Sequence, residues 1–181
     1  RTLLSAAVRE LEARRTGVSA LLFMSVREEA KKGLSALRIV GNLGALMQQV
    51  NFGMIGGGTV GSGVFHALQR NGGLLSSRIG VNVNVRRIAV KAFDEPRPYE
   101  IPRSLMTTDW QSVVQDPAVD IVTELVGGTG IARTMILTAL KLGKPVVTAN
   151  KALLSEHGEE LFAAAKDYGT NLYYEASVCG G

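Results

Sequence analysis

The hydrophobic pattern changes period repeatedly through the second and larger part of the chain. A compact apolar run predicts a strand at about 50–55. A helix-compatible stretch from Thr59 to Arg70 comes next, with Asn71-Gly72-Gly73 as its expected stop. Val83 to Lys91 is rich in β-branched residues and reads as a second strand. Pro96, Pro98 and Pro102 predict a loop without regular structure. Thr108 and Gln111 have capping-box spacing, so a short helix should open with Thr108 as its N-cap and stop before Pro117. Val119 to Val126 is nearly continuous in apolar residues, as expected for a parallel strand covered on both faces. A helix at about 130–142 should be capped by Gly143, and Pro145 to Thr148 reads as a strand. A helix at about 151–168 places Leu154, Leu161, Ala165 and Tyr168 on one face, and a last strand covers about Asn171 to Tyr174. Strands and helices alternating over short connections predict an α/β domain with an open, doubly wound parallel sheet and right-handed crossovers.

The first part of the chain reads differently. Residues 2–32 look helical, with Leu3, Ala7 and Leu11 on one stripe that Gly17 breaks, and Gly33, Gly41 and Gly44 mark a looser stretch after them. The chain begins at Arg1, and Met47 stands three residues before the first strand. We therefore expect residues 1–46 to be a poorly packed helical extension, a fusion remnant or upstream sequence, and 47–181 to be the folded domain. Charges interrupt every candidate signal-peptide core in that extension.

Composition narrows the class. The chain is 46% hydrophobic and 20% charged, ordinary for one globular domain with a sizeable core. No apolar run approaches the ~18 residues of a transmembrane helix. A single cysteine, Cys179, cannot form an internal disulfide, which makes a reducing, cytoplasmic setting the expectation. With two histidines, His66 and His157, far from it in sequence, no zinc-ligand spacing exists. Residues 1–46 carry eight Lys/Arg against four Asp/Glu, whereas 47–181 carry twelve of each. The basic balance thus belongs to the extension, and the domain offers no basic patch for nucleic acid.

The chemistry concentrates at the ends of the predicted strands. Gly56, Gly58 and Gly61 form a G-x-G-x-x-G between the first strand and the first helix, with Thr59 and Val60 inside it. In a Rossmann βαβ unit the first glycine permits the tight turn, the second lets a pyrophosphate approach the backbone, and the third lets helix and strand pack closely. The helix start then offers N–H groups and the positive end of its dipole to the phosphates. Lys91 and Arg97, after the second strand, are candidates for the extra phosphate of NADP, with Asp94 and Glu95 further into the loop. Gly127-Gly128-Thr129 ends the third predicted strand where a nicotinamide ribose would lie, and Asn150-Lys151 ends the fourth. Asn150 is a plausible N-cap. Lys151 then falls in the first helical turn, where a cation opposes the dipole; that local inconsistency points to function, such as holding a substrate oxygen or moving a proton. His157 reads as a helix-entry residue, His66 as a surface residue, Trp110 as a packing residue and Cys179 as an unactivated thiol.

Taken together, the segments G-G-G-T-V-G-S-G at 56–63, T-E-L-V-G-G at 123–128, V-V-T-A-N-K-A-L-L-S-E-H-G-E-E-L-F at 146–162 and Y-Y-E-A-S-V-C-G-G at 173–181 resemble the homoserine dehydrogenases. The resemblance covers roughly 47–181, and the segment at 146–162 is far more specific than the glycine turn. It implies a reversible NAD(P)-dependent oxidation of homoserine to aspartate semialdehyde, on the route to threonine and methionine. It implies dinucleotide phosphates at 56–61, a phosphate-binding role for Lys91 and a lysine at the nicotinamide and substrate junction in Lys151. The position after Lys91, often Asp in the family, is Ala92 here, which leaves NAD against NADP open. Glu175, Val178 and Gly180 match positions that bind a monovalent cation such as sodium through carboxylate and backbone oxygens. In the family a catalytic and dimerisation region lies beyond Gly180-Gly181, so the chain is expected to be a fragment, inactive alone, of a homo-oligomeric enzyme. The competing readings are another amino-acid dehydrogenase with a similar cofactor domain, such as an aspartate-type enzyme, and a non-catalytic NADP-binding module. A remnant of a fused aspartate kinase in 1–46 is disfavoured, because no regulatory βαββ pattern is visible there.

Overall fold

The computed structural model describes residues 48–174. The expected extension at 1–46 and the expected cation ligands Glu175, Val178 and Gly180, together with Cys179, lie outside the described residues. The elements run β1 (Gln49–Ile55), α1 (Thr59–Ile79), β2 (Asn82–Ala89), a single 3-10 turn (Arg103–Leu105), β3 (Met106–Thr107), α2 (Trp110–Val114), β4 (Ile121–Glu124), α3 (Gly130–Lys141), β5 (Val146–Thr148), α4 (Lys151–Asp167) and β6 (Leu172–Tyr174). All strand pairs are parallel, in the order β3-β2-β1-β4-β5-β6. The order reverses between β1 and β4, which opens a crevice at their carboxyl ends. This is the Rossmann-type α/β fold.

Both sheet faces are covered, which is why Val50, Phe52, Met54 and Ile55 of β1 and Ile121 and Val122 of β4 are all buried. On one face Met54, Val85 and Ile88 pack with Phe65 of α1. On the other, Ile55, Val122 and Val146 pack with Val113 of α2, Ile136 and Leu140 of α3, and Leu153 and Leu161 of α4. Gly53, in the middle of β1, makes room for this second layer: a Cβ there would lie 2.8 Å from Val113 Cγ1 and 2.9 Å from Val119 Cγ1.

Several boundaries differ from expectation for identifiable reasons. Helix α1 does not stop at Gly72-Gly73 but runs to Ile79 and ends at Gly80, whose φ is 82°. Two helical glycines cost about 1 kcal/mol each relative to alanine; Ile79, packed against Val50, Phe52, Val81 and Ile121, supplies burial beyond them. The cap of α2 is Asp109 and not Thr108, its carboxylate accepting from Gln111 N at 3.0 Å and Ser112 N at 3.3 Å. The unexpected two-residue strand β3 sets this register, pairing Met106 with Ile88 and Thr107 with Ala89 before the chain turns. Strand β4 ends at Glu124 and not Val126, because Gly127 and Gly128 (φ 79° and 71°) bend the chain out of the sheet. On α4 the buried positions include Leu153, Leu161 and Ala165, while Tyr168 is 48% exposed past the helix end. His157 lies inside α4 and not at its entry. The cap at Gly143 (φ 72°) is as expected.

Candidate functional site

The glycine turn assigns each glycine a separate duty. Gly56 has a φ of 106°, and a Cβ there would meet Leu125 O at 2.6 Å. A Cβ on Gly61 would lie 2.0 Å from Gly56 O, so only glycine lets α1 start this close to β1. Around Gly58 nothing stands within 4 Å of an added Cβ. Gly58 is also the N-cap of α1, and no side chain caps that helix. The start of a 21-residue helix is thus left open, without an acidic residue in its first turn. Its N–H groups and dipole suit an anion, and the open face at Gly58 suits close approach by one.

A cleft of about 520 Å³ lies over this turn at the carboxyl edge of the sheet. Its walls come from the turn itself, from Val90 and Lys91 after β2, from Trp110 of α2, from Val126 after β4, and from Ile131 and Met135 of α3. The lining is mostly apolar with Lys91 and Glu95 as its charged members, the mixture that a pocket for a planar base beside a sugar phosphate needs. Val126 and Ile131 remain 43% and 51% exposed, apolar surface on the cleft that a bound ring could cover.

Not every expected residue reaches the cleft. Lys91 does, exposed on its rim, and Glu95 stands on the same wall although its place in the sequence put it deeper in the loop. Asp94 instead pairs with Arg103 at 3.1 Å. Arg97 is not on the cleft wall: its guanidinium donates to the carbonyls of Ala92 and Phe93, both at 3.2 Å, and touches Met106 Sδ. Arg97 therefore folds the loop that carries Lys91. His66 stacks on Tyr99 at the exposed side of α1, with ring centroids 4.3 Å apart.

The other expected residues gather where β4 and β5 end. Gly127 and Gly128 are exposed, and Thr129 is the N-cap position of α3 without a side-chain cap bond. Asn150 caps α4, accepting from Leu153 N at 3.1 Å, and also donates through Nδ2 to Gly128 O at 2.7 Å. Lys151 is the first residue of α4 and is exposed. One residue escapes the sequence reading: Glu124, completely buried at the end of β4 beside these loops. Its signal is a carboxylate closing a strand otherwise covered by apolar layers, shortly before a glycine pair. Among the described residues no group of three His, Cys, Asp or Glu side chains could hold a metal ion.

Charge pairs lie outside the cleft: Arg133 of α3 pairs through two nitrogens with Glu160 of α4, and a second pair stands toward the amino edge of the sheet. There the Arg86 guanidinium donates to Asp116 at 2.6 Å and holds its carboxyl below the ordinary aspartate value. Burial lowers the Lys144 ammonium, whose Nζ donates to Asp116 O.

Residues 56–175 match the family model described as the NAD-binding domain of homoserine dehydrogenase. The chain belongs to the homoserine dehydrogenase family. The homoserine dehydrogenase of Bacillus subtilis is 39% identical over 135 residues, covering 75% of this chain and 31% of that protein. That of Corynebacterium glutamicum is 43% identical over 131 residues, or 72% and 29%. Among solved structures, the S. aureus homoserine dehydrogenase at pH 8.5 superposes with a TM-score of 0.69 at 35% identity, covering 75% of this chain and 34% of that one. The enzyme from Thiobacillus denitrificans gives 0.66 at 40%, covering 74% and 31%. The chain thus spans about a third of the length of the curated homoserine dehydrogenases it matches. The matched third is the dinucleotide-binding domain. Among the described residues no helix is long and apolar enough to cross a membrane.

Proposed function

We propose that this chain is the cofactor-binding part of an enzyme that interconverts L-homoserine and L-aspartate 4-semialdehyde with NADP, NAD being the second choice, in threonine and methionine biosynthesis. The observation that carries the reading is the open glycine turn inside a stretch that matches the family's NAD-binding domain from Gly56 onward. The residues present fit a dinucleotide. Gly56, Gly58, Thr59, Val60 and Gly61 would hold the pyrophosphate on the uncapped start of α1. Gly127, Gly128 and Thr129 would flank the ribose toward the reacting end, with Asn150 behind them. Lys91 would face the additional phosphate of NADP, with Arg97 supporting it from within the loop. Glu95 on the same wall opposes this preference, since a carboxylate there suits ribose hydroxyls. The bound nicotinamide ring supplies the hydride acceptor.

Lys151 is the residue we assign to catalysis. Its ammonium would hold the substrate oxygen and stabilise the negative charge on it once the hydroxyl proton has passed to water, the state from which the carbinol carbon can release hydride. Glu175, Val178 and Gly180 would hold a monovalent cation such as sodium, which the resemblance supports. The small-molecule substrate, the absence of nucleic-acid and membrane partners, a cytoplasmic location and a homo-oligomeric complete enzyme belong to the same reading. So does a division of the chain into an extension at 1–46 and a folded domain from 47 onward.

The test is homoserine-dependent reduction of NADP by the natural protein carrying this sequence, together with NADPH and NADH affinities of the 181-residue chain. Lys91→Ala should weaken NADPH about tenfold, a loss of about 1.4 kcal/mol, and leave NADH unchanged. Equal affinities for the two cofactors, insensitive to that substitution, would remove the phosphate contact. Failure to oxidise homoserine alongside tight cofactor binding would remove the substrate assignment.

A further inference from the structure

The loops after β4 and β5 are tied together through one buried carboxylate. Glu124 pairs in register with Ile55 on one side and Thr148 on the other, and has no exposed surface. Its Oε1 accepts from Val126 N at 2.8 Å and from Gly127 N at 3.2 Å. Its Oε2 accepts from Thr148 Oγ1 at 2.6 Å. Thr148 Oγ1 in turn accepts from Asn150 N at 3.1 Å. Asn150 closes the ring by donating to Gly128 O while it caps α4 through Leu153 N. The 126–128 loop and the start of α4 are thus linked twice, once through Glu124 and Thr148 and once through Asn150.

An apolar side chain would fill this strand position more cheaply than a carboxylate taken wholly out of water. In each of these three contacts Glu124 accepts, and all three fix the two loops that border the carboxyl edge. The loop itself has little else to hold it: its glycines are exposed and no atom stands within 4 Å of where their Cβ atoms would be.

We propose that Glu124, acting through Thr148, is a positioning residue that sets Lys151 relative to the Gly127–Gly128 loop beside the cleft. The inference rests on the assignment of Lys151 to the reacting end. Lys151 comes directly after Asn150, so removing the Thr148 hydroxyl takes away the bond on the Asn150 N–H and leaves the start of α4 tied only through the Asn150 side chain. A misplacement of about 1 Å at a reacting group can cost about a hundredfold in rate, whereas dinucleotide affinity, set mainly at 56–61, should change little.

The experiment compares Thr148→Val, which keeps the side-chain shape and loses the hydroxyl, with Thr148→Ser, which keeps the hydroxyl. Two readouts are taken: kcat and KM for homoserine in the natural protein, and the rate at which Lys151 is acylated with and without NADPH, followed by peptide mass spectrometry. Thermal unfolding and NADPH affinity are measured alongside. Thr148→Val should lower kcat about ten- to a hundredfold, keep the NADPH Kd within about threefold, and abolish the protection that NADPH gives Lys151. Thr148→Ser should restore both kcat and protection to within about threefold of the parent. A folded Thr148→Val protein with parental kcat and protection would overturn the proposal, as would a serine variant no better than valine. A parent protein that shows NADPH protection of Lys151 without homoserine turnover would instead refute the substrate reading, and loss of that protection in Thr148→Val would still support the positioning role.

Discussion

Two glycine segments stand at the carboxyl edge of the sheet, one lining the cleft and one beside it, and they are glycine for different reasons. At 56–61 the constraint is crowding: a Cβ would strike backbone 2.6 Å away at Gly56 and 2.0 Å away at Gly61. At 127–128 the constraint is conformation alone, since both residues have positive φ and open space around them. The first segment is part of the packed scaffold, clamped between β1, α1 and the chain after β4. The second projects from the sheet and is held by the hydrogen bond that Gly127 N donates to Glu124 and the one that Asn150 donates to Gly128 O. The proposed dinucleotide anchor is therefore held by packing, and the loop at 127–128 by side-chain hydrogen bonds.

Substitutions to alanine separate the two cases. Gly61→Ala has the largest expected effect, because the obstructing atom is a backbone oxygen that cannot rotate away; we expect destabilisation of about 3 kcal/mol or more in urea unfolding. Gly128→Ala meets no atom and should cost only the left-handed backbone penalty, about 1–2 kcal/mol. Similar losses at the two sites would break the distinction between crowding and conformation. Gly58→Ala sharpens it further. Its open surroundings should limit the stability loss to less than about 1 kcal/mol. NADPH affinity should nonetheless fall about tenfold or more as the methyl group occupies the approach of the pyrophosphate. Unchanged affinity, measured by fluorescence titration, would mean that the dinucleotide does not lie against Gly58.

The same contrast explains how much of the molecule is legible in its sequence. The turn at 56–61 is legible because its glycines carry out three local duties whose spacing is set by strand-turn-helix geometry. The sheet is legible because covering on both faces leaves Val50, Phe52, Met54 and Ile55 of β1 and Ile121 and Val122 of β4 as buried apolar residues. Glu124 is not, since its meaning depends on Thr148, twenty-four residues away in sequence and one strand away in space. Arg97 and Glu95 exchange expected places for a related reason: the proline-bearing loop folds on contacts to Ala92, Phe93 and Met106 that carry no periodic signal. The end of α1 lies beyond its expected place because a distant cluster around Phe52 rewards Ile79, overriding the local preference of Gly72-Gly73 to stop.

The contrast between the two segments belongs to the carboxyl edge alone, which gives the smallest prediction its use. Arg86 and Asp116 pair at the amino edge, with both side chains partly open to water. Removing the pair by Arg86→Ala should cost about 0.5 kcal/mol at neutral pH, within the range of surface ion pairs. The sign of its pH dependence comes from the lowered Asp116 value. The carboxylate is bound more favourably in the folded state, so the pair's contribution is fully present above the ordinary aspartate value of 3.8 and disappears as pH falls through the lower folded value. Denaturant midpoints of the parent and of Arg86→Ala should therefore differ at about pH 7 and converge below pH 3.8. NADPH affinity at neutral pH should be the same for both proteins, because the cleft lies at the opposite edge of the sheet. A cofactor affinity that moved with Arg86 would show that the two edges are coupled, and the 56–61 anchor would then be held by more than its own packing.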